Sequence, residues 1–158
     1  MGTYKADSPS EKSVDSRIHS LDVDADRALF TGEVQGLAVT FYENERPLAG
    51  LAGLLDWRFQ GVISDYLREG AITGAAGQCA YIPITRNGII YHLVLAGAGE
   101  SSAPGQRTKV PAETWKVLQK NLSSLKLKRI GISRKDFGDF TDDLLSKHMK
   151  GVPLWIVH

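Results

Sequence analysis

Residues Cys79–Ala96, CAYIPITRNGIIYHLVLA, decide the fold. Cys79–Thr85 is β-branched and apolar enough for a strand, and Arg86-Asn87-Gly88 follows it. Asn-Gly is a strong hairpin signal because both residues accept the positive φ of a tight turn. Ile89–Ala96 is the most apolar run in the chain and reads as a central strand buried on both faces. Toward the C-terminus, Pro111 precedes a helix predicted from Ala112 to about Leu125, with Trp115, Leu118 and Leu122 on one stripe. Arg129–Ser133 reads as a short strand, Phe140–Met149 as a helix stopped by Gly151, and Val152–Val157 as a last strand. Pro153 cannot donate to a ladder, so that strand is expected at an edge or starting at one.

Toward the N-terminus, Val34–Tyr42 reads as a buried strand and Ile18–Asp24 as a weaker one. Leu48, Leu51, Leu55 and Phe59 recur at helical spacing, and Pro47 suits the first turn of that helix. A second helix, Val62–Arg68, is closed by Gly70 in a left-handed C-cap. Strand, strand, helix, strand, helix, strand is the order of the later half. It predicts an α/β fold of three layers, a mixed sheet with helices on both faces.

The polar stretch 1–17 lacks apolar periodicity and is expected to be a flexible leader. Residues 18–158 are then one domain, within the usual range of ~100–150 residues. Nineteen basic and eighteen acidic side chains leave a formal charge of +1, which offers no footprint for nucleic acid. No apolar run approaches the ~20 residues that span a bilayer, and the N-terminus has no secretory h-region. A cytoplasmic location follows by default. The single cysteine, Cys79, excludes an internal disulfide and reads as a small core residue at the start of its strand.

Several stretches, in this order, resemble the N-terminal domain of the cytosol leucyl aminopeptidases. They are LAGLLDWRFQGVISDYLREG, ITGAAGQ, YHLVLAGAGE and WKVLQKNLSSLKLKRIGIS. The resemblance spans roughly Leu21–Val157 and implies a macro-domain-like fold that stands apart from peptidase chemistry. In that family, two metal ions are held by a lysine and carboxylates of a separate C-terminal domain. No matching segment stands in this sequence, so no metal or peptidase role is carried onto any residue here. The same elements are similar to macro domains, which bind ADP-ribose through a strand-end Asn-Ala-Ala-Asn segment and a triple-glycine loop. The corresponding stretch here, Phe41–Gly50, has Asn44 as its only asparagine and no glycine run. That departure argues against ADP-ribose.

Gly97-Ala98-Gly99-Glu100-Ser101-Ser102 follows the most buried strand, where open α/β sheets place their ligands. Gly97, Gly99 and Ser101 are therefore candidate ligand residues, and the resemblance to macro domains adds Asn44. Against them, a lone Gly-x-Gly is a weak signal, Glu100 would repel phosphate, and a plain strand-to-helix connection is the simpler reading. His92 reads as a sheet residue, and His148 as a helix-end residue. His19, His92, His148 and His158 are too scattered for a zinc site. Asp136, Asp139, Asp142 and Asp143 read as acidic capping of the last helix. Trp57 with Arg58 is the candidate interface, since both types are enriched in hot spots. Packing of Trp57 beneath Ser64–Arg68 is the preferred reading of that ring.

The reading as a whole is a non-catalytic module acting in protein association or assembly, through self-association or a protein partner. The alternative is a macro-type module for a nucleotide or ADP-ribose derivative. No cofactor and no metal site is expected.

Overall fold

The computed structural model describes residues 17–158. Strand β1 (Ile18–Ser20) leads to helix α1 (Ala25–Phe30), β2 (Gly36–Phe41), α2 (Gly50–Arg58) and α3 (Val62–Arg68). There follow β3 (Cys79–Arg86), β4 (Ile89–Gly97), α4 (Ala112–Leu125), β5 (Ile130–Ser133), α5 (Asp142–His148) and β6 (Leu154–Val157). The leader expected over 1–17 lies, Arg17 apart, outside the described residues.

These strands form one six-stranded sheet in the order β1-β6-β5-β2-β4-β3. Every neighbouring pair is parallel except the β3–β4 hairpin, so the sheet is mixed. Its hairpin turn has Asn87 at φ 51° and Gly88 at φ 78°, the two left-handed residues that an Asn-Gly turn requires.

Period-two alternation along the inner strands makes the three layers. Leu37, Val39 and Phe41 of β2, with Leu93 and Leu95 of β4, join Ala28, Leu29, Leu55 and Ile63 from α1, α2 and α3. Ala38, Val94 and Ala96 point the other way, onto Trp115, Leu118 and Leu122 of α4 and Leu145 of α5. Each such Leu or Ile withdrawn from water stabilises the fold by roughly 1.5–3 kcal/mol, so both faces are firmly held. The expected three-layer α/β architecture, helices on both faces, is what the chain adopts.

Several boundaries differ from the sequence reading for local reasons. Helix α1 has only one turn and a half and carries Asp26 and Arg27, so its periodicity is too brief to see. Helix α2 begins at Gly50, and Pro47 lies before it, after a cis Arg46–Pro47 bond. Strand β6 is interior, between β1 and β5, and it escapes the Pro153 penalty by starting one residue later. Strand β4 is buried on both faces only from Leu93 onward, and Ile89 and Ile90 project into solvent beside the turn.

Candidate functional site

Three loops meet over the carboxyl ends of β2 and β4. The first, after β2, carries Asn44 and Glu45, and the third, which continues β4 beyond Gly97, carries Ala98 to Thr108. Between them the turn Gly74–Gln78 lies across the end of β4. Asn44 and Ser101 are brought together: Asn44 Nδ2 donates to the Ser101 carbonyl at 2.8 Å, and the Ser101 amide donates to Asn44 Oδ1 at 2.9 Å. The Gly97 amide donates to the Gln78 carbonyl at 2.7 Å, and the Gly99 amide to the Gly74 carbonyl at 2.9 Å. The Gly97 carbonyl accepts from the buried Thr114 hydroxyl at 2.7 Å, which itself accepts from the Gly77 amide at 2.8 Å. The Gly97, Gly99 and Ser101 amides, which a phosphate would use, are thus bonded within the chain.

Beside these loops lies a charged cluster absent from the sequence reading. Arg107 donates to both oxygens of Glu45 at 3.0 Å, the two side chains being 10% and 4% exposed. Its Nε stands 3.7 Å from Asp136 Oδ1, and its guanidinium lies over the Tyr42 ring at 4.8 Å. Asp136 Oδ2 accepts from the Thr40 amide at 2.8 Å. Burial works against the charge on Glu45, yet the bonds from Arg107 and the Gly105 amide outweigh it and hold the carboxyl below its ordinary value. Burial dominates at Asp136 and pushes its carboxyl up to about 6, against the Thr40 amide and Arg107. Glu45 and Arg107 come from two irregular loops 62 residues apart, which no local pattern reports. Asp136 does not cap the last helix with Asp142 and Asp143, as its spacing suggests, but sits in the interior on the Thr40 amide.

Arg107 and Asp136 also line a crevice of about 350 Å³ with Asp24, Gly50, Leu51 and Leu54. Thus the structure puts Asn44, Gly97, Gly99 and Ser101 in one loop junction, with an open crevice beside it.

The interface candidates lie on α2. Trp57 is 75% exposed, so it does not pack beneath Ser64–Arg68. Arg58 is anchored: it faces Asp26 at 3.5 Å and lies over the Phe30 ring at 4.1 Å. Elsewhere, Tyr81 and His92 Nδ1 share a 2.6 Å hydrogen bond across β3 and β4, and burial holds the imidazole below its ordinary value. His148 stacks on Trp115, with ring centroids 5.6 Å apart. Cys79 opens β3, and burial raises its thiol to about 11, far from the thiolate. Thr141 caps α5, its hydroxyl accepting from the Leu144 amide, with Asp142 and Asp143 in the first turn. Among the described residues no three His, Cys, Asp or Glu side chains form a metal-type cluster, and no helix is long and apolar enough to cross a membrane.

This arrangement of strands and helices recurs in known structures. The macrodomain of Mycobacterium tuberculosis DarG is similar with a TM-score of 0.62 and 12% identity, over 89% of this chain and 96% of that one. Thermosipho africanus DarTG in complex with ADP-ribose gives 0.62 and 11%, over 91% of this chain and 42% of that one. A tomato leucine aminopeptidase gives 0.57 and 15%, over 89% of this chain but 32% of that protein. At such identities the likeness shows the macrodomain-like fold alone. No curated protein matches the sequence itself. Residues 38–150, more than half of the chain, match the family described as cytosol aminopeptidase family, N-terminal domain. This chain therefore belongs to the cytosol aminopeptidase family, through its N-terminal domain.

Proposed function

We propose that residues 18–158 act as one non-catalytic module that works by association, with itself or with a protein partner. The observation that carries this is Trp57, 75% exposed on α2, with Leu54 exposed one turn earlier. Adjoining exposed apolar side chains mark interaction surfaces, and tryptophan is enriched among interface hot spots. Arg58, fixed by Asp26 and Phe30 beside it, supplies a rigid cationic neighbour.

Sedimentation of the domain over a concentration series tests the self-associating form of the proposal. Trp57→Ala is expected to weaken the association by about 2 kcal/mol or more, the scale of a hot-spot truncation. Because the ring is exposed, folding stability is expected to stay within about 0.5 kcal/mol. Unchanged association in Trp57→Ala would overturn the assignment of this surface.

The second reading is a nucleotide-type ligand module, favoured by the likeness to a protein solved with ADP-ribose. Against it stand the internal bonds of Asn44, Gly97 and Gly99. A thermal-shift titration with ADP-ribose, ATP and AMP separates the two readings, since a ligand that binds only the folded state raises the melting temperature by mass action.

A further inference from the structure

The crevice between α1, the start of α2 and the loop after β5 has charges that fit a different ligand from a phosphate. Asp136 lines it with a side chain only 4% exposed. Its Oδ2 accepts from the Thr40 amide, the Thr40 side chain also supports the charged carboxyl, and Oδ1 is turned toward Arg107. Arg107 stands nearest, with Nε 3.7 Å away, beyond hydrogen-bonding range, and with both terminal nitrogens committed to Glu45. Two buried carboxylates therefore share a single guanidinium, so the buried trio carries a net negative charge when Asp136 is ionised. A carboxylate so placed gains most from a charged N–H donor.

The other groups facing the crevice agree with this. Asp24 and Asp26 approach from the start of α1, and Asp24 makes no cap hydrogen bond. Asp26 is matched by Arg58 at 3.5 Å. Lys135 lies exposed on the rim, and His158 is engaged with Asp22 at 2.5 Å. The Tyr42 ring closes the far side of Arg107. Ala25, Leu51 and Leu54 supply an apolar wall.

We infer that this crevice binds a small primary ammonium compound with a short apolar chain, the ammonium donating to Asp136 and the chain lying along Leu51 and Leu54. An ammonium brings three donors on a compact charge, enough for Asp136 and a neighbouring carboxylate together. A phosphate or carboxylate ligand would meet Asp24 and Asp136 as like charges. The crevice shares Leu54 with the association surface, but its ligand is read from Asp136 and not from Trp57.

The test is a titration of the whole chain followed by amide NMR, using n-butylamine, n-butanol, butyrate and inorganic phosphate at matched millimolar concentrations. Butylamine is expected to give saturable shifts at Ala25, Leu51 and Asp136, butanol to bind about tenfold more weakly or less, and both anions to give none, as for loss of a charge-assisted bond. Asp136→Asn keeps an acceptor for the Thr40 amide and removes the charge. It is expected to weaken butylamine binding by about tenfold or more with an unchanged circular dichroism spectrum. In the unmodified chain, acidification that protonates Asp136 is expected to weaken the amine in the same way, which keeps the test open should the variant fail to fold. Absence of saturable butylamine shifts overturns the inference, as does equal binding by Asp136→Asn, pH-independent binding, or stronger binding of phosphate.

Discussion

Asn44 and Ser101 hold each other by a reciprocal pair of bonds, side-chain amide to main-chain carbonyl and main-chain amide to side-chain carbonyl. The pair fastens the loop after β2 to the loop after β4. Its two short bonds run between the Asn44 carboxamide and the Ser101 backbone. The Ser101 hydroxyl is a minor partner, 3.4 Å from Asn44 Oδ1 and 3.1 Å from the Ala103 carbonyl. Asn44→Asp replaces the donor with an anionic oxygen facing a carbonyl, and is expected to cost ~1–3 kcal/mol at neutral pH. Ser101→Ala leaves both main-chain bonds in place and is expected to cost less than about 1 kcal/mol. Urea denaturation of the two variants checks the order. A larger loss in Ser101→Ala would mean that the hydroxyl, and not the carboxamide, ties the loops.

Gly97 and Gly99 differ in the reason for being glycine. A Cβ at Gly97 would stand 2.1 Å from the Ala75 carbonyl oxygen, a backbone atom that cannot swing aside. At Gly99 the nearest neighbour would be the Ala76 Cβ at 3.8 Å, and the obstacle is the backbone alone, at φ 81°. Gly99→Ala is expected to cost the left-handed penalty of about 1–2 kcal/mol. Gly97→Ala forces the 74–78 turn away from the strand end, breaks bonds that it makes there, and is expected to cost more than Gly99→Ala. Denaturation midpoints of the two variants decide it. Equal costs would show that the turn yields easily, and that Gly97 is not held against it.

Arg107 is the next position where a small change should have a large effect. Its removal leaves Glu45 buried without its bidentate partner, and breaking a buried pair from one side costs about 3–5 kcal/mol. Arg107→Lys keeps the charge but cannot donate in parallel to both oxygens, so it is expected to recover only part of that stability. The double variant Arg107→Met/Glu45→Gln removes the charge stranded on Glu45 and is expected to be more stable than Arg107→Met alone. Equilibrium unfolding of the series checks this. Additive losses would show that the two side chains act separately.

Particular residues show how far the sequence alone could be read. The Asn87-Gly88 turn, the Trp115–Leu118–Leu122 stripe and the apolar centre of β4 each advertise their structure through neighbours a few residues away, and all three predict the layers. Gly97, Gly99 and Ser101 announce a strand-end loop in the same local way, whereas Asn44 enters only through the resemblance to macro domains, because its partner Ser101 lies 57 residues away. What the sequence does not display is who bonds to whom. Glu45, Arg107 and Asp136 meet across three loops, and Asp136 stands near enough to Asp139, Asp142 and Asp143 in the chain to pass for a surface acid. Trp57 was misjudged because a helix wheel fixes a residue's direction, whereas exposure depends on whether another element comes to cover it.

Asp136 makes the stability of this domain depend on pH in an unusual direction. Burial raises its carboxyl from 3.8 to about 6, so between those values the folded chain holds a proton that the unfolded chain has released. Stability from this group is fully present below the unfolded value and is lost as pH rises through about 6. Glu45 acts in the opposite sense and at lower pH, since its carboxyl is held below 4.5 and its stabilising charge is lost only as acid protonates it. His92 and His148, both held below 6.5 by burial, also oppose Asp136, because they must take up protons on unfolding as pH falls. The slope of the unmodified domain is therefore mixed, and the informative quantity is its difference from Asp136→Asn. That difference is expected to move in favour of the asparagine variant as pH rises from about 4 to about 6, and to be constant above the upper limit. Urea unfolding at matched pH values measures it. A constant difference across the whole range would mean that Asp136 keeps its ordinary acidity in the fold and that Arg107 serves it as fully as it serves Glu45.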